Sequence, residues 1–425
     1  MQLVRPDKKD IFQTFWLVIG YGLFFLAFYL FLYKITMVSV LPDDLTLLRW
    51  DAGIYKEIMD KGYAPPAPPH LVGWYFLFPW VWKLLHVSVT GISVVNYVFF
   101  AAGFSLVCGI YKLTVTEKLL WMSLPALFIM MTPYSEALFF LFGAMAMFGI
   151  AYRIRWLIWS GLFLLALTRA NAIFLFAALL AMELLSNPRK DWYRCLRRYL
   201  IDYALPLGLG LGFFIWYEYY CTHIWFGYFT YQQTDQGHVF GGPTLPFANF
   251  TGQRMLWINA LALCCTFVAL LQVIRKAVLW LKKDIQETDK LFILSLVFMI
   301  VTGYKTVFYN PTWGENRTLL FGTSRYVFAT SFFLPFLYRV MHPKKEYKRW
   351  HYLYVFLVAN AIWLTCGSYV HLQQSLYMNF GTLLMVLWML QSNKKMEWPK
   401  YALLSFGFFM QVILYYWYLL SWFPD

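Results

Sequence analysis

The sequence predicts an all-α polytopic membrane protein, and three observations carry that expectation. Hydrophobic residues make up 61% of the 425 and aromatic residues 22%. Apolar runs of about 20 residues, the length of a helix that crosses a bilayer, recur along the chain. Charged residues, only 13% of the total, collect in short stretches between those runs. A soluble core has no use for that much apolar surface. The net charge of +14 would point to nucleic acid in a soluble domain, but here it falls mainly in short loops, as the positive-inside rule expects. No basic patch with interleaved aromatics stands clear of the apolar runs, which excludes nucleic acid as a partner. The cysteines, at 108, 195, 221, 264, 265 and 366, form no CxxC pair and lie mostly in apolar runs. Packing is their expected role, with neither a metal site nor a disulfide framework.

Residues 1–10 are short and basic, with Arg5, Lys8 and Lys9, ahead of a first span from about Ile11 to Tyr33. Nothing after that span resembles a signal-peptidase site, so it is expected to stay as an anchor with the N-terminus in the cytoplasm. The next segment, to about Gly73, is too polar to span and ends in the run Ala64-Pro65-Pro66-Ala67-Pro68-Pro69, which cannot continue a helix. It forms a sizeable loop on the far side. Residues Trp74 to His86 are aromatic and apolar but short, with Pro79 inside, which fits an interfacial or re-entrant segment better than a full span. Lys and Arg then mark 112–118, 153–155, 189–198, 275–290, 344–349 and 394–400 as cytoplasmic loops. Two crossings between consecutive basic loops give about thirteen spans in a single domain, 1–425, with the N-terminus inside and the C-terminus outside. The far-side turns fall near 132–136, 168–171, 220–253, 305–325 and 371–375, and the polar clusters that read as functional lie there.

The first cluster is Leu48-Arg49-Trp50-Asp51-Ala52-Gly53-Ile54-Tyr55, where Arg49, Asp51 and Lys56 fall within eight residues. If 52–61 form a helix, Tyr55 and Ile58 lie near Ala52 and Asp51 sits at the N-cap. Asp51 is then either an acidic cap on an interfacial helix or a general base at the membrane surface. Thr132-Pro133-Tyr134-Ser135-Glu136 opens an apolar helix, with Thr132 or Ser135 as cap and Glu136 in the first turn; alternatively Glu136 faces a polar cavity. Thr168-Arg169-Ala170-Asn171 interrupts an apolar run from Trp156 to Met182. Arg169 either snorkels from a helix end or lines a cavity that holds an anion.

The stretch from Lys305 to Arg325 brings Lys305, Arg317 and Arg325 to the far side, which the positive-inside rule disfavours. A phosphate held by two or more of these cations would compensate; the alternative is a solvated loop paired with Glu315. The loop 220–253 offers Tyr, Trp and Gln side chains for a sugar, while His223 and His238 are too loosely spaced to read as metal ligands. A P-loop or dinucleotide fingerprint is missing throughout, so nucleotide-driven chemistry on the cytoplasmic side is not expected.

Taken in order, Arg49-Trp50-Asp51-Ala52 through Lys61-Gly62-Tyr63, Trp74-Tyr75-Phe76-Leu77-Phe78-Pro79, Pro133-Tyr134-Ser135-Glu136, Thr168-Arg169-Ala170-Asn171 and Ser324-Arg325-Tyr326 resemble the motifs of the Pig-V type mannosyltransferases. These enzymes add the second mannose of the glycosylphosphatidylinositol core and have bacterial relatives. The resemblance covers about residues 45–330 and departs from the family pattern at Gly53-Ile54 and after Asn171. It implies a GT-C-like bundle of about thirteen helices with an extracytoplasmic first loop. It also implies a polyprenyl-phosphate sugar donor, a catalytic Asp51, and no metal or cofactor.

An inverting transfer needs a base for the acceptor hydroxyl and positive charge for the departing phosphate. Asp51 fits the first role and Arg169, Arg317, Arg325 and Lys305 the second. Arg49, Trp50, Tyr55, Tyr134, Glu136, Asn171 and Tyr326 belong to the surrounding site. The sugar expected is mannose and the acceptor a glycan, lipid or protein. The aromatics of 74–86 are placed to guide the lipid chain along the interface. Compact size and short loops lean toward a bacterial inner membrane over an endoplasmic reticulum membrane. A lipid-linked oligosaccharide flippase is the alternative function, distinguished by charges near the midplane and by internal repeats. Residues 351–422 carry no interpretable motif.

Overall fold

The computed structural model describes residues 7–63, 69–234, 237–245, 247, 255–283, 289–311, 318, 320, 322–343, 347–366, 372–391 and 398–421. The chain is a mostly helical, membrane-embedded protein. Helix α1 (Lys8–Lys34) is followed by α2 (Asp51–Lys61), α3 (Leu77–Leu85) and α4 (Val89–Cys108). A 3-10 segment, Pro125–Met131, then turns through 106° into α5 (Glu136–Tyr152). Next come α6 (Arg155–Ala166), α7 (Phe174–Leu185), α8 (Leu205–Thr222) and α9 (Gly227–Thr234). Strand β1 (His238–Phe240), α10 (Leu256–Lys283), α11 (Lys290–Phe308) and β2 (Tyr309–Pro311) follow. The chain ends with α12 (Thr323–Phe328), α13 (Leu334–Met341), α14 (Arg349–Thr365), α15 (Leu372–Gln391) and α16 (Trp398–Leu419).

Among the described residues six helices are long and apolar enough to cross a membrane, or seven if the bent pair is one span, and three further apolar helices are shorter. Helix α1 shows why water is not its solvent. Phe12, Leu23 and Phe24 are each at least 60% exposed, an apolar surface that a lipid phase accepts and water does not. Its caps agree with its ends: Asp7 accepts from the Lys9 amide at the start and Lys34 stands in the last turn, each charge favoured by the helix dipole.

The packing core runs along α4, α5 and α6, with α1 on α4, α8 on α6, and α11 against both α7 and α10. Two glycines set close approaches among α5, α6 and α8. A Cβ at Gly161 would lie 2.7 Å from the Ala146 nitrogen and 2.9 Å from the Phe142 carbonyl, and one at Gly210 would lie 2.5 Å from the Phe163 carbonyl. Backbones meet there because no side chain intervenes, the device by which helices associate in lipid. Gly161→Val is therefore expected to push α5 and α6 apart and cost about 1–3 kcal/mol or more, read as a lower unfolding temperature in detergent; an unchanged temperature would contradict that packing.

The 168–171 interruption is, as the sequence placed it, a break between two separate helices, bridged by a 3-10 turn at Ala170–Ile173. Two features differ from the sequence expectation. Strands β1 and β2 form an antiparallel ribbon that no alternating pattern announced, pairing His238 with Pro311 and Phe240 with Tyr309. Lys305 and Arg325 do not stand in a solvated loop: Lys305 is in the last turn of α11 and Arg325 lies buried in α12. Arg317, Glu315 and Asp235 lie outside the described residues.

Candidate functional site

Helix α2 presents Ala52, Tyr55 and Ile58 on one buried face, at the spacing that the 3.6-residue period requires. Asp51 is its first helical residue and Trp50 its N-cap, with no side-chain capping bond. The cap reading of Asp51 therefore fails: its carboxylate turns away from the helix amides and takes Arg325 Nη2 at 2.9 Å. Trp50 holds φ 50°, ψ −121°, a backbone conformation that costs an indole-bearing residue about 1–3 kcal/mol. The surrounding structure holds it in place. Tyr134 donates to the Arg49 carbonyl at 3.2 Å, Tyr418 to the Leu47 carbonyl at 2.5 Å, and Arg49 Nη2 to the Leu419 carbonyl at 3.4 Å. Arg49 thus braces the strained turn from behind, against the end of α16.

The centre of the cluster is Glu136, in the first turn of α5. Its Oε1 receives Arg169 Nη1 at 2.5 Å and Arg325 Nη2 and Nε at 2.6 and 2.9 Å. Arg325 Nη2 therefore bridges the two carboxylates. Ser135 and Thr132 do not cap α5. Ser135 Oγ pairs with the Tyr55 hydroxyl at 2.8 Å and lies 3.4 Å from Arg169 Nη1, while Thr132 bonds back to Ile129. Asn96 holds this corner in shape by donating to the Thr132 and Tyr134 carbonyls at 2.7 and 2.8 Å. Aromatic faces complete the cation shell. Arg325 lies 4.9 Å from the Tyr134 ring centre, and Arg169 and Lys305 lie 5.5 and 5.1 Å from that of Tyr326, distances at which the ring quadrupole attracts a cation.

These residues open onto a cavity of about 980 Å³. Trp50, Asp51, Tyr55, Arg169, Asn171, Lys305, Arg325 and Tyr326 line it, whereas Arg49, Tyr134 and Glu136 stand behind that lining. The two carboxylates are thereby told apart. The Asp51 side chain is 13% exposed and faces the space; that of Glu136 is 3% exposed and is enclosed by its two arginines. Burial holds the Asp51 carboxyl above its ordinary range, with the Arg325 charge opposing, which makes its carboxylate a stronger base than an exposed one.

The remaining walls are of two kinds. Ile173, Phe174, Leu211, Phe214, Ile215 and Val301 give an apolar side on the 3-10 turn before α7 and on α7, α8 and α11, and Ile173 is 42% exposed at its edge. Tyr228, Gln232, Gln233 and His238 give a polar one on α9 and β1. Trp74 and Tyr75 also face the cavity, while α3, the short helix beyond them, leaves Trp80 and Leu84 exposed, as an interfacial segment would.

The sequence located Asp51, Tyr55, Arg169, Asn171, Lys305, Arg325 and Tyr326, and the fold brings these into one cavity. The snorkelling alternative for Arg169 fails because its charge points inward to Glu136. Sequence reasoning missed Ser135 as the bridge between Tyr55 and Arg169. It also weighed His238 only as a metal ligand; among the described residues no three His, Cys, Asp or Glu side chains are grouped to hold a metal ion. No family model, curated protein or solved structure matches the chain.

Proposed function

We propose that the chain is an integral-membrane glycosyltransferase that moves a sugar, with inversion, from a polyprenyl-phosphate donor to a hydroxyl acceptor on the extracytoplasmic face. The observation that carries this reading is a cavity with a carboxylate facing it, paired arginines beside that carboxylate, and an apolar side wall. A lipid phosphate has the same division, with an anionic head and a hydrocarbon tail. The apolar wall on α7, α8 and α11 suits the tail, and Arg169, Arg325 and Lys305 suit the phosphate.

The charges balance through the reaction. Arg169, Arg325 and Lys305 against Asp51 and Glu136 leave a net +1 in the cluster, which matches a phosphodiester carrying one negative charge. The acceptor oxygen attacks the anomeric carbon from the face opposite the phosphate, and the carbon–oxygen bond to phosphate breaks with its electron pair on the phosphate oxygen. The hydroxyl proton passes to Asp51. The leaving lipid monophosphate gains a second negative charge as Asp51 loses its own, so the cluster rises to +2 and the site stays neutral. Glu136, out of reach of the cavity, keeps the two arginines from repelling each other.

About thirteen crossings need short spans beyond the six long helices and the bent pair ending in α5, and α6, α7 and α13 are apolar helices of that kind among the described residues. With the basic stretches inside, the ends of α1, α6 and α11 and the start of α5 all fall on the far side, where Asp51 lies. The resemblance to Pig-V type enzymes points to mannose as the sugar. A bacterial inner membrane is the setting favoured by the short loops.

The product's anomeric configuration tests the reaction class: a β-linked donor is expected to give an α-linked product by NMR, and retention would contradict direct displacement. A second expectation concerns pH. With the folded-state pKa of Asp51 raised, the carboxylate ionises later than an exposed one, so kcat/KM should fall as pH drops through a midpoint above the usual carboxylate range. A midpoint within or below that range would argue against Asp51 as the base.

A further inference from the structure

We propose that Gln232, Gln233 and His238 form the wall that recognises the hydroxyls of the transferred sugar. The inference rests on the lipid-phosphate reading of the site and adds the residues that read the transferred group. Gln232 and Gln233 lie near the C-terminal end of α9 and line the cavity, and neither side chain has a hydrogen-bond partner among the described residues. A primary amide offers two donors and an acceptor. Two such groups, on the polar side of the cavity and without side-chain partners among the described residues, are set for a ligand rich in hydroxyls.

His238 places this wall next to the phosphate end. It begins β1, and β1 pairs with β2, the direct continuation of α11 beyond Lys305. The Gly241 amide donates to the Phe308 carbonyl at 2.9 Å and ties the ribbon to the helix end. The imidazole stacks on Tyr309 with ring centres 5.1 Å apart and planes 14° from parallel. Burial, with the Lys305 charge beside it, holds His238 down to about 3. The ring is therefore neutral at physiological pH, with one nitrogen donating and one accepting. A sugar joined to a phosphate at Lys305 has its ring one bond further on, which is where this wall begins.

Charge fits this wall to an uncharged sugar. Among the described lining residues there is no carboxylate beyond Asp51, which the acceptor hydroxyl requires, to meet an amino sugar. Nor is there among them a cation beyond Lys305 and the two arginines, which the phosphate requires, to meet a uronic acid. Uncharged donor–acceptor groups fit vicinal hydroxyls and leave either charged sugar with an unpaired ion to desolvate.

The test measures lipid affinity of the purified full chain in nanodiscs. The probes are polyprenyl phosphate, polyprenyl-phosphate mannose and polyprenyl-phosphate 4-amino-4-deoxyarabinose. The proteins are the wild type and the combined variant Gln232→Leu, Gln233→Leu, His238→Phe. Mannose is expected to tighten wild-type binding about tenfold over the bare phosphate, with no such gain from the amino sugar. The variant should bind bare polyprenyl phosphate as wild type does, which also shows that it is folded, and should lose the mannose gain. Restoring Gln232 and Gln233 should return most of it. A variant that keeps the full gain overturns the proposal, as does one that loses bare-phosphate affinity, or an amino sugar that binds as well as mannose. Wild type that binds none of the three lipids overturns the lipid-phosphate reading itself.

Discussion

Asp51→Asn is expected to lower sugar transfer by about three orders of magnitude while leaving donor affinity within a few-fold. The substitution preserves size and keeps an oxygen for Arg325 Nη2, now 2.9 Å from Oδ2, but removes the proton acceptor. Because Arg169, Arg325 and Lys305 all remain, the phosphate should still bind, and the loss should fall on kcat rather than on KM. Single-turnover transfer in reconstituted membranes, together with donor titration, separates the two. Unchanged turnover would mean that Asp51 only positions Arg325. Glu136 would not replace it as the base, since its carboxylate stands behind the cavity lining.

The largest effect on stability is expected at Glu136. Glu136→Ala leaves Arg169 and Arg325 buried beside each other with a single carboxylate, Asp51, on Arg325, and breaking a buried ion-pair network in this way costs about 3–5 kcal/mol. The variant should accumulate poorly, unfold at a markedly lower temperature in detergent and bind the donor weakly, because both cations lose their fixed positions. Glu183 provides a control. It is fully buried, it takes Lys290 at 2.8 Å and Arg198 at 3.3 Å, and it does not line the cavity. Glu183→Ala should lower stability by a similar route and leave turnover per folded molecule near that of wild type. If both variants lost stability but neither lost donor affinity beyond the folded fraction, Glu136 would be a packing residue with no part in the site.

Much of the architecture was readable because membrane helices are nearly one-dimensional objects. Apolar length, Lys and Arg placement and Pro runs act locally, so α1, α4 and α11 and the polar interruptions between helices could be read from short windows of sequence. The choice of partners could not. Asp51 and Arg325 are 274 positions apart and Glu136 and Arg325 are 189 apart, and no local pattern says which cation a carboxylate will meet. The sequence therefore marked Arg169 and Arg325 as phosphate ligands without the carboxylate that holds both.

The helices beyond residue 351 looked uninformative for the same reason. The contribution of α16 is a Tyr418 hydroxyl on a carbonyl beside the Trp50 turn, and a Gln411 amide that accepts from Tyr21 at 2.6 Å and donates to the Met122 and Leu124 carbonyls. These are single side chains without a motif. The β1–β2 ribbon escaped notice because three-residue strands carry too few alternations to register.

The most direct measurement follows both halves of the donor at once. Purified wild-type protein in proteoliposomes is given polyprenyl-phosphate mannose carrying one label in the sugar and another in the lipid, with lipids and proteins extracted from the source membranes as acceptors. Glycosyl transfer requires the labels to part, with one polyprenyl phosphate released for each sugar found in product. If the labels stay together and the intact donor instead moves from one leaflet to the other, the chain is a lipid-linked sugar transporter and the catalytic reading of Asp51 is wrong.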